Sequence, residues 1–181
     1  MKLAILGAGA WGNALAIAYA GGHAVTLWAR DAAQRAALRA TRRGRYLSEV
    51  PLPDSVAIGE DPLAAVRDAD TVIIATPTAG LREAATLVRR AAASAPVVWA
   101  CKGFEPATGK LPHEVVAAVL GERAPAAALS GPSFALEVAR GLPTAVTLAA
   151  ADADLARRLA RALHQPRLRT YFTDDLVGVE V

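Results

Sequence analysis

Four short stretches carry residue types that could hold or transform a ligand. The first is Gly7-Ala8-Gly9-Ala10-Trp11-Gly12, which fits G-x-G-x-x-G at all three glycines. Gly7 permits a tight turn, Gly9 has no Cβ to hold a pyrophosphate away from the backbone, and Gly12 lets a following helix press onto a sheet. A helix starting near Ala10 then aims free N–H groups at phosphates. The chemistry is dinucleotide binding, and the competing reading is a purely structural strand-to-helix turn. The second stretch is Ala29-Arg30-Asp31. NAD enzymes usually place an acid here for the ribose hydroxyls, but Ala29 holds that position and Asp31 suits a helix cap better. Arg30 can pair with a 2′-phosphate or stack on adenine, so NADPH should be accepted; an ordinary surface arginine is the alternative.

The third stretch is Cys101-Lys102-Gly103-Phe104-Glu105. Lys102 is one of only three lysines in an arginine-rich chain, and it follows a strand, where a catalytic or anion-binding group would sit. Cys101 reads as a packing residue. The fourth is Ser130-Gly131-Pro132-Ser133-Phe134-Ala135-Leu136-Glu137. Its glycine and proline fix the backbone, and Ser133 is expected to cap the helix that follows, making a second anion-friendly N-terminus. No histidine or acid is placed to activate Ser133, so substrate hydrogen bonding is preferred to nucleophilic catalysis. Thr76-Pro77-Thr78 is either a simple turn or the segment beside a nicotinamide. His23, His113 and His164 fall at loops or helix ends and read as surface residues.

Composition narrows the classes. The chain has 181 residues, 54% hydrophobic and 20% charged, ample for one packed domain and hardly enough for two. Its 20 Lys+Arg against 17 Asp+Glu are scattered except around Arg39 to Arg45, so a solvated basic face is preferred to nucleic-acid binding. Cys101 is the single cysteine, which excludes an internal disulfide framework and a cysteine zinc cluster, and the three histidines offer no metal-ligand spacing. A reducing, cytoplasmic location is expected. The glycine turn comes too soon for a signal peptide, and no apolar run approaches a membrane span.

The elements that must position these residues alternate regularly. Strands are expected at 2–6, 24–28, 56–58, 71–75, 97–100, 126–129, 145–148 and 168–172. Helices are expected at 10–20, 32–40, 62–68, 81–93, 111–120, 134–140 and 152–163, with an irregular connection over 41–55. Asp31 and Asp61-Pro62 supply start signals. Strand and helix in turn argue an α/β, Rossmann-type, doubly wound and mostly parallel sheet, with the last strands parallel or antiparallel. Residues 1–181 read as one NAD(P)-binding domain. Leu176 and Val177 open another helix, so an all-helical C-terminal domain is expected to be absent from the chain. The segment from Asp174 onward is then frayed or packed on a neighbouring chain.

These stretches resemble bacterial NAD(P)-dependent glycerol-3-phosphate dehydrogenases. The resemblance rests on the glycine turn with Trp11, Leu27-Trp28-Ala29-Arg30, the loop from Cys101 to Glu105, Ser130 to Thr147 with Gly141-Leu142-Pro143-Thr144, and Gly178-Val179-Glu180. It implies reversible reduction of dihydroxyacetone phosphate to glycerol 3-phosphate for phospholipid synthesis, with NADP or NAD as cofactor. To the cofactor contacts that the motif gives at Gly7, Gly9 and Gly12 it adds, by position, Ala10, Trp11, Arg30, Lys102 and Ala135, and more weakly Tyr46. It assigns substrate contacts to Lys102, Gly131 and Ser133, and it needs no metal. Lys102 is the catalytic candidate, and the general acid/base lysine is expected beyond Val181. Where the family continues Tyr-Leu-Pro-Gly, this chain has Tyr46-Leu47-Ser48-Glu49, a local departure. No nucleic-acid partner and no membrane insertion are expected from the charge and apolar patterns, and a homodimer stays open. Two alternatives stand beside this family: another Rossmann-type reductase of a small oxo acid or phosphorylated ketone, and a nucleotide-binding module without catalysis.

Overall fold

A computed structural model describes residues 1–181. Its strands are β1 (Lys2–Leu6), β2 (Ala24–Trp28), β3 (Ala57–Ile58), β4 (Thr71–Ile74), β5 (Val97–Trp99), β6 (Ala126–Ser130), β7 (Thr144–Ala149) and β8 (Leu168–Thr173). They form one eight-stranded sheet in the order β3-β2-β1-β4-β5-β6-β7-β8. Every neighbouring pair is parallel except β6 with β7, which is antiparallel, and β8 returns to parallel beside β7. This resolves the direction that strand periodicity left open.

The helices are α1 (Ala10–Tyr19), α2 (Ala32–Thr41), α3 (Pro62–Arg67), α4 (Leu81–Arg90), α5 (Pro112–Leu120), α6 (Ala135–Ala139), α7 (Ala153–Leu163) and α8 (Leu176–Glu180), with a 3-10 turn at Thr78–Gly80. Alternate residues of β1 serve two cores. Leu3 and Ile5 pack with apolar residues of α1, α6 and α7, while Ala4 and Leu6 pack with those of α3, α4 and α5. Burial on both faces is why these strands read as unbroken apolar runs. Asp31, Asp61 and Asp152 cap α2, α3 and α7 by accepting backbone N–H groups, and Pro62 occupies the first turn of α3.

Two terminations differ from the sequence reading. Helix α4 ends at Arg90 rather than Ala93, closing on the Ala91 N–H donated to the Leu87 carbonyl, and Ala92 lies at φ 52°. Residues 174 onward are not frayed. Leu176 and Val179 of α8 pack on the core beneath α4 and α5, and Glu180 is fully buried. The connection over 41–55 is irregular as expected, held by the Arg42 guanidinium donating to the Pro53 and Val56 carbonyls. No helix is long and apolar enough to cross a membrane.

Candidate functional site

The carboxyl ends of β1, β4, β5 and β6 enclose a crevice of about 510 Å³. Gly9, Ala10 and Trp11 form one wall, Ala75 to Thr78 and Ala100 to Lys102 the floor, and Leu129 to Gly131 with Ser133 the other wall. Three of the four stretches singled out in the sequence therefore meet in one place. A larger hollow of about 780 Å³ lies at the opposite end of β5, lined by Val88, Arg89, Leu120 and Pro125 among others, and holds none of these residues.

The three glycines have separable roles. Gly7 lies at φ 113°, donates its N–H to the Trp28 carbonyl at 2.8 Å, and would bring a Cβ to 2.7 Å from the Ala75 carbonyl oxygen. At Gly12 a Cβ would overlap the Gly7 carbonyl oxygen. At Gly9 it would meet nothing within 4 Å. Chain packing thus demands glycine at 7 and 12, whereas at Gly9 the space is left over for something other than protein. The loop is braced from behind. Asn13 Nδ2 donates to the Ala8 and Gly9 carbonyls at 2.9 and 2.8 Å, and Gln34 Nε2 donates to Ala8 at 2.7 Å. With those carbonyls occupied and no side chain capping α1, the free amides of its first turn are the groups left to meet an anion.

Lys102 sits on a loop fixed at three points. Its carbonyl accepts from Thr78 Oγ1 at 2.6 Å, the Gly103 N–H donates to the Glu180 carbonyl at 2.8 Å, and Glu105 anchors the far side. The Glu105 carboxylate, 5% exposed, accepts from Arg82 Nε and Nη2 at 2.9 and 2.8 Å and from Thr108 Oγ1 at 2.5 Å. The Arg82 guanidinium, then the Thr108 hydroxyl, hold its pKa down to about 2. Cys101 packs beside the lysine, and burial pushes its thiol up. Arg82 was not singled out by sequence reasoning, because its partner Glu105 lies 23 residues away along the chain.

Ser133 departs from its expected role. Helix α6 starts at Ala135 with Phe134 as its uncapped N-cap, so the Ser133 hydroxyl caps nothing. Its Oγ is buried without a partner, as is Thr76 Oγ1 in the same crevice. Buried polar atoms normally find partners, and two orphans on residues that line one crevice fit a polar ligand. Gly131 presses on β7, where a Cβ would lie 2.7 Å from the Ala145 carbonyl oxygen.

Five expected cofactor contacts lie outside this lining: Gly7 and Gly12, which shape the turn itself, and Arg30, Tyr46 and Ala135. Arg30 is exposed at the end of β2 and pairs with Glu83 at 2.7 Å. Tyr46, 61% exposed, lies in the 41–55 connection with the Arg45 guanidinium 5.6 Å from its ring. Ala135 packs against the α1-side core. His113, read as a surface residue, is half-buried instead, with Nδ1 2.6 Å from Glu180 Oε2. Burial raises the pKa of Glu180, opposed chiefly by this contact. His164 is exposed, and His23 is partly buried between the Tyr19 ring and Gln165.

Residues 2–156 match the family described as the NAD-dependent glycerol-3-phosphate dehydrogenase N-terminus. The glycerol-3-phosphate dehydrogenase [NAD(P)+] of Aromatoleum aromaticum is 54% identical over 182 residues, covering all of this chain and 56% of that protein. The enzyme of the same description from Dechloromonas aromatica is 53% identical, covering all of this chain and 55% of that protein. A crystal structure of glycerol-3-phosphate dehydrogenase from Coxiella burnetii superposes with a TM-score of 0.90 at 37% identity, covering 99% of this chain and 55% of that one. The chain spans little more than half the length of these relatives.

Proposed function

Since the chain belongs to the NAD-dependent glycerol-3-phosphate dehydrogenase N-terminus family, we propose that it forms the dinucleotide-binding part of an enzyme that reversibly reduces dihydroxyacetone phosphate to sn-glycerol 3-phosphate, for phospholipid synthesis. The observation that carries this reading is the open space over Gly9, at a braced glycine turn that shares one crevice with Lys102 and Ser133. The free amides of α1 donate to the pyrophosphate, flanked by Ala10 and Trp11. When bound, NADPH or NADH supplies the hydride that reduces the ketone carbon. Lys102 offers an ammonium to the substrate's phosphate or to the carbonyl oxygen as negative charge grows there, and Ser133 Oγ donates to a polar substrate atom.

Lys102 and Cys101 are the titratable residues lining the crevice, and the Cys101 thiol is held protonated by burial. One ammonium cannot bind the substrate's phosphate and protonate its carbonyl oxygen in the same step. We therefore assign the general acid to a residue outside 1–181, so that residues 1–181 alone bind cofactor without turnover. The test is to titrate the 181-residue chain with NADPH by fluorescence and to follow NADPH oxidation with dihydroxyacetone phosphate in the same preparation. Binding without oxidation is expected. Turnover within tenfold of a full-length relative would show a complete acid/base site here, and reduction of a different ketone alone would overturn the substrate.

A further inference from the structure

We propose that Glu83 sets how strongly this site discriminates between NADPH and NADH, by competing with the cofactor's 2′-phosphate for Arg30. The inference rests on the dinucleotide reading above and concerns its adenosine end. Strand β1, which carries the glycine turn, lies between β2 and β4. A dinucleotide on such a turn lays its adenosine ribose over the end of β2. Arg30 stands two residues past β2, and Glu83 stands in the first turn of α4, behind β4. Their 2.7 Å ion pair therefore reaches from the β2 side to the β4 side, past the end of β1.

The other cations near that strand end are committed elsewhere. Arg35 Nη1 donates to the Ala29 and Arg30 carbonyls at 2.7 and 2.9 Å, and its Nε lies 3.2 Å from Glu60. Arg39 is held by Glu60 and the Ile58 carbonyl, and Arg82, next to Glu83, by Glu105. Asp31 is occupied as the cap of α2. Arg30 is the guanidinium here whose hydrogen-bond partner is a single exposed side chain, and Glu83 has no other partner than Arg30. An exposed pair of this kind is weak and exchanges readily.

The two cofactors meet the pair in opposite senses. NADH brings a neutral ribose, beside which Glu83 keeps Arg30. NADPH brings a dianion that draws Arg30 away and leaves the Glu83 carboxylate facing like charge. Arg30 thus favours the phosphate and Glu83 moderates that preference, which leaves both cofactors usable.

The experiment is a fluorescence titration of the 181-residue chain and its Glu83→Gln, Arg30→Ala, double and Gly9→Ala variants with NADH and with NADPH. Glu83→Gln removes the competing charge at an exposed site without changing its shape. It should tighten NADPH about fivefold and leave NADH within about twofold, the size of an exposed charge interaction. In the Arg30→Ala background most of that gain should vanish, because no guanidinium remains to be released. An unchanged ratio of NADPH to NADH affinity in Glu83→Gln, or equal shifts for both cofactors, overturns the inference while the dinucleotide reading stands. Failure of the parent chain to bind either cofactor, or retention of both by Gly9→Ala, overturns the dinucleotide reading and this inference with it.

Discussion

Gly9 and Gly12 are three residues apart, yet replacing each by alanine should break different things. At Gly12 the added Cβ collides with backbone that cannot move without displacing β1, so Gly12→Ala should cost about 2–4 kcal/mol in urea denaturation. At Gly9 the backbone is already extended, at φ −69°, and the added Cβ meets nothing. Gly9→Ala should stay within about 1 kcal/mol of the parent while weakening NADPH roughly tenfold or more. Equal stability losses would return the motif to a structural turn. Glu105 gives a pH signature. Its folded-state pKa near 2 lies below the usual 4.5, so its contribution is complete above about pH 4.5 and is lost as the pH falls through 2. The stability advantage of the parent over Arg82→Ala, followed by circular dichroism, should shrink across that window and be gone at its acid end. At this scale the sequence was informative where spacing is local. The glycine motif and the aspartate caps are set by residues within a turn of one another. The Glu105 clamp and the orphaned Ser133 hydroxyl depend on neighbours brought in by the fold, and Ser133 was accordingly misread as a cap.

Among the elements, α8 was the least legible. An apolar helix start looks unfinished in sequence, and nothing local says that its fifth residue, Glu180, will be fully buried beside His113, 67 residues earlier. The arrangement makes the α8–α5 contact sensitive to loss of either partner. His113→Ala strands a buried carboxylate and should lower stability by about 2–4 kcal/mol at pH 7, and adding Glu180→Gln should recover part of it. No recovery in the double variant would mean that the imidazole matters for packing rather than for its pairing. The linkage sign runs opposite to that of Glu105. A carboxyl whose folded pKa is raised adds stability below about pH 4.5, and that stability is lost as the pH rises through the folded value. Because the Glu180 carbonyl also receives the Gly103 N–H, loosening α8 should loosen the Lys102 loop. The antiparallel insertion of β7 was equally hidden, since alternation of apolar residues is the same for either strand direction.

For the whole molecule, alternating strands and helices were enough to reach the doubly wound sheet, because burial on both faces imposes continuous apolar runs that local pattern reveals. Strand order was not in that pattern; it arises from how each crossover packs. If the crevice is the cofactor site, ligand binding must stabilise the entire fold. NADPH at ten times its dissociation constant should raise the melting temperature by about 3–6 °C, read by scanning calorimetry, and Gly9→Ala should abolish most of the rise. The strand order also has a consequence in time. Strand β1 is made before both of its neighbours, β2 and β4, and its glycine turn is backed by Ala75. At ordinary elongation rates of about 5–20 residues per second, some sixty residues and roughly 3–13 s separate synthesis of the turn from synthesis of its support. Nascent chains stalled before β4 emerges should therefore fail to retain on a dinucleotide resin, and chains stalled after β4 and β5 have cleared the exit tunnel should begin to be held.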